Sequence, residues 1–427
     1  MASSKPSSLT LRSYQVGFGD CFLLTFHYNG KTGDRHVLID FGSTGTSKSM
    51  GENLMVRVAE DIRKQTKGKL HAIVATHRHK DHISGFATNK KQNGAGDIIA
   101  SCKPDVVIQP WTEHPDARVN AQKAPTNMTG KQSFVAALQS MHEVAGAVLV
   151  EAERRKSVLG KNLHKELSFL GEDNLSNLSA VENLMRMGKK HFYINFGTKS
   201  GLESVLPGVK IRVLGPPNLE QSKEIKVQRS KDEDEFWQFQ ALANQFVIKR
   251  NPKLFRNAKT YSATAAPPHT RWFINRMRSI RGEQLLSIVR ALDKVMNNTS
   301  LILLFEVGRK KLLFPGDAQI ENWSYALNKP AIKKLLAGVD LYKVGHHGSR
   351  NATPRTLWNG FKKKSTKKSA TRLKTFCSTM SGKHGAATSK TEVPRKTLVE
   401  ALEKESDYFT TQSLKKKDLS LEHVIKF

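Results

Sequence analysis

Between Leu70 and Phe86 the chain reads LHAIVATHRHKDHISGF, an apolar run that stops at His77, His79, Asp81 and His82. Three imidazoles and a carboxylate within six positions offer the nitrogen and oxygen donors that zinc, manganese or iron take. One ion cannot easily collect all four from so short a loop. The compact arrangement is two divalent ions side by side, with His77 and His79 on one and Asp81 and His82 on the other. Such a pair lowers the pKa of a shared water and binds the oxygen on which charge develops, so the expected chemistry is hydrolysis.

Positioning these donors requires strands that end at a common edge. Leu70 to Thr76 is short, partly β-branched and flanked by polar residues, which predicts a buried strand delivering the motif to a sheet edge. Residues 299–306 and 310–314 read as two strands joined by Val-Gly-Arg, and the second runs into Pro315-Gly316-Asp317. Asp317 is thereby a candidate ligand and catalytic carboxylate at the same edge, and also fits as a helix N-cap for 318–327. A strand over 339–344 leads to Gly345-His346-His347-Gly348-Ser349. Adjacent histidines after a strand point to opposite sides, so one of the pair joins the second ion. His346 is favoured as ligand and His347 as proton donor or phosphate contact, with the reverse order as the alternative. A strand over 104–111 ends near Glu113 and His114, two candidate extra ligands.

The HRHKDH segment resembles the signature of the metallo-β-lactamase superfamily. VGFGDCFLL (16–24), HVLIDFG (36–42), LLFPGDA (312–318) and KVGHHGS (343–349) agree with it in order and spacing. The last two are similar to segments of the metallo-β-lactamase-like domain of the bacterial competence DNA-uptake channel and its soluble, cytoplasmic relatives. The resemblance implies an α/β fold, a four-layer αββα sandwich, with residues 1–120 and 297–427 as its two halves. Between them, 121–296 reads as a mostly helical insertion with one strand at 209–217. The resemblance also implies that Asp40 hydrogen-bonds the metal loop, that Asp20 lies near the site and that Asp317 bridges two metals. In the superfamily a third histidine often completes the first ion's shell from a later strand. This chain has no motif of that kind.

The substrate class is suggested by charge. Lysine and arginine outnumber acids 69 to 38 over 427 residues, and a formal charge of +31 favours polyanions. The run FKKKSTKKSATRLK (361–374), with Lys362, Lys363, Lys364, Lys367 and Lys368, is expected near the site entrance, where it would track a nucleic-acid backbone. Trp237, Phe239, Trp272 and Phe273 are candidates for stacking bases. Three cysteines without ligand spacing argue against a disulfide scaffold, and no apolar run is long enough to span a bilayer. A soluble, cytoplasmic protein with no membrane partner is expected. The reading is a metal-dependent nuclease acting on DNA in preference to RNA, single-stranded DNA included, with two divalent ions, zinc or manganese. The alternatives are a phosphodiesterase of small molecules, such as cyclic nucleotides or phospholipid headgroups, and a non-catalytic nucleic-acid binder.

Overall fold

The computed structural model describes residues 5–46, 50–114, 123, 178–218, 220–222, 297–349, 353–383, 392–415 and 418–427. All of them belong to one of the two compact units into which the chain divides. Residues 133–155 and 223–296 of the expected helical segments, with Trp237, Phe239, Trp272 and Phe273, fall outside the described residues.

Two sheets make the sandwich. The first contains β1 (Pro6–Tyr14), β2 (Cys21–Tyr28), β3 (Arg35–Phe41), β4 (Ala72–Val74), β5 (Val106–Pro110) and β6 (Lys190–Ile194). The second is built from β7 (Lys210–Gly215), β8 (Ile302–Val307), β9 (Lys310–Phe314), β10 (Leu341–Lys343), β11 (Lys374–Cys377) and β12 (Asp407–Thr410), after which β13 (Ser420–Lys426) returns to the first. The spatial orders are β13-β1-β2-β3-β4-β5-β6 and β12-β11-β10-β9-β8-β7. The runs β3 to β6 and β9 to β12 are parallel, so their C-terminal tips share one edge in each sheet.

Near-continuous apolar strands such as CFLLTFHY in β2 need cover on both faces, and the structure supplies it. Between the sheets Phe22 meets Phe314 at 6.1 Å between ring centroids, and Phe26 meets Phe305 at 6.2 Å. Among the described residues the helices are α1 (Leu54–Gln65), α2 (Lys80–Ile83), α3 (Ala95–Ser101), α4 (Leu178–Arg186), α5 (Ile320–Leu327), α6 (Pro330–Leu336), α7 (Arg355–Gly360) and α8 (Lys396–Glu405). On α1, Leu54, Val58, Ala59 and Ile62 form the buried stripe that helical periodicity requires. Trp323 on α5, Trp358 on α7 and Leu402 on α8 pack on the outer face of the second sheet against Leu304, Leu313 and Tyr342. The architecture is the α/β four-layer sandwich expected. No helix among the described residues is long and apolar enough to cross a membrane.

Three placements differ from the sequence reading. Residues 178–218, expected within the insertion, belong to the sandwich: the strand expected at 209–217 is present as β7 in the second sheet, and β6, which was not expected, joins the first. β12 is an edge strand that the sequence reading did not contain, whereas the final strand, β13, is in the expected place and pairs antiparallel with β1. The lysine run is not beside the histidines. Lys363 Nζ lies 2.7 Å from Asp340 just before β10, Lys364 Nζ 2.7 Å from Glu405 at the end of α8, and Lys362 N donates to Ala337 O. A loop that feeds into a parallel strand must sit at the strand's start, whereas the histidines follow the strand tips. Lys362, Lys363, Lys364, Lys367 and Lys368 therefore lie a strand length from the site, on the order of 15 Å.

Candidate metal centre

At the shared edge the chain leaves β4 through His77, His79, Asp81 and His82, with α2 opening inside the motif. Asp40, at the end of β3, anchors this loop. Its Oδ1 accepts from Thr76 N at 2.7 Å, and its Oδ2 accepts from Thr76 Oγ1 at 2.7 Å and from His82 Nδ1 at 2.8 Å. The residue sits at φ 55°, a left-handed conformation that a non-glycine residue keeps only where surrounding contacts impose it. Gly19 and Gly42 let the β1–β2 turn and the end of β3 pass against the loop backbone. A Cβ at Gly42 would collide with Asp81 and His82.

The second half of the chain brings Asp317 and His347. Gly345 is extended, but His346 and His347 follow at φ 42° and 52°, two successive left-handed residues. The strand alternation assumed from the sequence ends there, and the expected order is reversed. His347 turns inward: its Nδ1 donates to Ser378 O at 3.0 Å, while its Nε2 lies 2.7 Å from Asp81 Oδ2 and 3.6 Å from Asp317 Oδ2. His346 stays at the rim, its side chain 23% exposed, with Nδ1 2.9 Å from Ser349 Oγ and Nε2 3.9 Å from Asp317 Oδ2.

The donors converge in groups. Asp81, His82, Asp317 and His347 place ligand atoms within 4.8 Å of one another, as do His77, His79 and Asp81. In the first group His82 and His347 each have Nδ1 held by an oxygen acceptor, which aims Nε2 inward, the orientation that outer contacts impose on metal-binding histidines. His77 Nε2 and His79 Nδ1 are 2.9 Å apart. Glu113 and His114 are not brought into either group. A short turn at Trp111–Glu113 carries Glu113 to 3.7 Å from Arg78 Nε, and the His114 ring packs on Tyr193 at 4.7 Å.

The polar atoms themselves test whether cations fit. Asp81 Oδ1, Asp317 Oδ2 and His82 Nε2 are buried without a hydrogen-bond partner, although His82 Nε2 and Asp317 Oδ2 are only 3.0 Å apart. An imidazole nitrogen and a carboxylate oxygen that close in a buried site repel unless a proton or a cation stands between them. Asp20, Asp40, Asp81 and Asp317 are four buried carboxylates, and Lys343 is the one buried lysine among the described residues. That buried negative charge must be balanced, by Lys343 together with protons on His82 and His347 or with cations in the place of those protons. Burial lowers the His79 imidazole to about 4, leaving it neutral and ready to coordinate. Burial alone would also lower His82, but Asp317, Asp81 and Asp40 hold it well above its usual value. For Asp317, burial pushes the carboxyl up and is overcome by His82 and Lys343, which keep it ionised. The residues present fit divalent metal.

A sandwich whose two halves each send carboxylates and inward-aimed imidazoles to one edge has the donor set of a divalent-metal centre. The comparison with protein families agrees over the part of the chain it reaches: residues 14–120 match the family model described as the metallo-beta-lactamase superfamily, the stretch that contains Asp20, Asp40 and the histidine motif. No curated protein matches the chain.

Proposed function

We propose that this protein is a metal-dependent phosphodiesterase whose substrate is nucleic acid, with DNA preferred. The observation that carries the reading is a buried carboxylate and imidazole centre in a chain of formal charge +31. A small neutral ester gains little from such a field, whereas each phosphate contacted on a polyanion adds salt-sensitive affinity. Arg78 and Lys80 alternate with the buried histidines of the motif and are partly exposed, which puts two cationic side chains on the donor loop itself.

Asp81, His82, Asp317 and His347 would hold one cation, and His77 and His79, with Asp81 beside them, a second. Divalent ions there supply Lewis acidity and a water of lowered pKa. His346, at the rim and oriented by Ser349, is placed to give a proton to the departing oxygen.

Labelled single- and double-stranded DNA, incubated with the protein and Mn²⁺ or Zn²⁺, tests this. Cleavage is expected with at least one ion and should disappear together with bound metal in Asp317→Asn. His346→Gln should retain metal but lose on the order of 10²-fold in rate. Absence of cleavage with both ions across salt and pH refutes the nuclease reading.

A further inference from the structure

Lys343 ends β10 at 2% exposure, in a position where strand burial would call for an apolar residue. Its ammonium has three protons and finds three acceptors: the Asp20 carboxylate, Gly316 O at 3.1 Å and Asp317 Oδ1 at 3.4 Å. A buried ammonium this fully partnered is a built feature, since a buried charge lacking partners is strongly destabilising.

The effect falls on Asp317. Its Oδ1 also accepts from His346 N at 3.1 Å, so two donors take that oxygen from the protein side. Its Oδ2 has no hydrogen-bond partner and faces His82 Nε2 at 3.0 Å. The carboxylate is divided into an inner oxygen held by the protein and an outer oxygen turned to the donor cluster. Asp20 is affected differently. It groups with Asp40 and His82 as a further set of possible ligands, yet the Lys343 ammonium already sits on it.

We propose that Lys343 is the positioning residue of the metal centre: it fixes which oxygen of Asp317 faces the cation, and it withdraws Asp20 from the ligand set. This rests on the metal-centre reading. It also sets the charge of the loaded site. Four buried carboxylates and one ammonium sum to −3, so two dications leave +1, a charge suited to an anionic ester; without the lysine the sum would be zero.

The test measures binding of Mn²⁺ and Zn²⁺ by competition with a chromophoric chelator, for the parent chain, Lys343→Met, Asp20→Asn and the double variant. Lys343→Met should bind the same number of ions about 10 to 100-fold more weakly, the usual cost of removing a residue that orients a ligand. Asp20→Asn should keep the parent's ion count. If Lys343→Met alone does not fold, the double variant removes both charges together and should still bind more weakly than Asp20→Asn, because Asp317 has lost its inner donor. Parent-like affinity in Lys343→Met or the double variant overturns the proposal, and so does loss of one ion in Asp20→Asn. A parent chain that binds neither metal would instead sink the metal reading on which this one stands.

Discussion

At the scale of single residues, the centre reads as one in which protons stand where cations belong. His347 Nδ1 is committed to Ser378 O, and its Nε2 lies 2.7 Å from Asp81 Oδ2, an arrangement that needs a proton on both nitrogens. Burial by itself would lower this imidazole, but Asp317 and Asp20 raise it. His82 is raised by the same kind of neighbour, the carboxylates of Asp317, Asp81 and Asp40. Raised imidazoles keep their protons around neutral pH, and a ligand needs the bare Nε2, so cation binding must expel protons. Affinity for Mn²⁺ or Zn²⁺ is therefore expected to weaken as pH falls and to strengthen as pH rises through those raised values. Calorimetric titration in two buffers of different ionisation enthalpy would show net proton release, and a buffer-independent enthalpy would contradict it. The motif His77 to His82 was legible from residue types alone. The order of His346 and His347 was not, because it depends on two left-handed residues that no side-chain pattern announces. Lys343 was missed as one basic residue among 69, although a lysine between Tyr342 and Val344 in an apolar strand is a signal that could have found it.

At the scale of elements, the site depends on how closely the β1–β2 turn and the segments after β3 and β4 approach one another. Asp20 N donates to Asp81 O at 2.9 Å and Gly42 N to Asp20 O at 3.0 Å, which ties the β1–β2 turn to the metal loop through backbone alone. Gly42→Ala puts a methyl into the Asp81 and His82 backbone. It is expected to destabilise the fold by about 1–3 kcal/mol, as overpacking generally does, and to weaken metal binding as the loop shifts. Denaturant unfolding combined with chelator competition would check both, and an unchanged affinity would show that the loop tolerates displacement. The strands over 299–306, 310–314 and 339–344 were readable because apolar runs and turn residues agreed in the sequence. The short edge strands β6 and β12 were not. Residues such as those of DYFT in β12 are only half-buried, and their strand state is imposed by pairing with β11.

At the scale of the whole molecule, the lysine run of 361–374 and the metal donors are spatially separate. The lysine run lies at the start of β10 and β11, and the donors follow their ends, so a polyanion reaching both would have to cross the sandwich edge. Replacing Lys362, Lys363, Lys364, Lys367 and Lys368 by alanine is expected to reduce affinity for DNA and flatten its dependence on salt, by roughly 0.9 in log–log slope for each phosphate no longer neutralised. Hydrolysis of a small chromogenic phosphodiester should be unchanged in the same variant. Equal losses on both substrates would show instead that the run supports the fold, as the Lys363–Asp340 and Lys364–Glu405 pairs would allow. The four-layer plan was legible from motifs at both ends of the chain, whereas the position of the lysine run required the direction of β11, which composition does not encode. The central claim is that distant strand tips converge on a divalent metal centre, and anomalous diffraction from crystals grown with Mn²⁺ or Zn²⁺ measures that most directly. A peak bonded to Asp81, His82, Asp317 and His347 is expected, with a second beside His77 and His79. Density without an anomalous peak at that edge, with the imidazoles hydrogen-bonded only to the carboxylates, would contradict it.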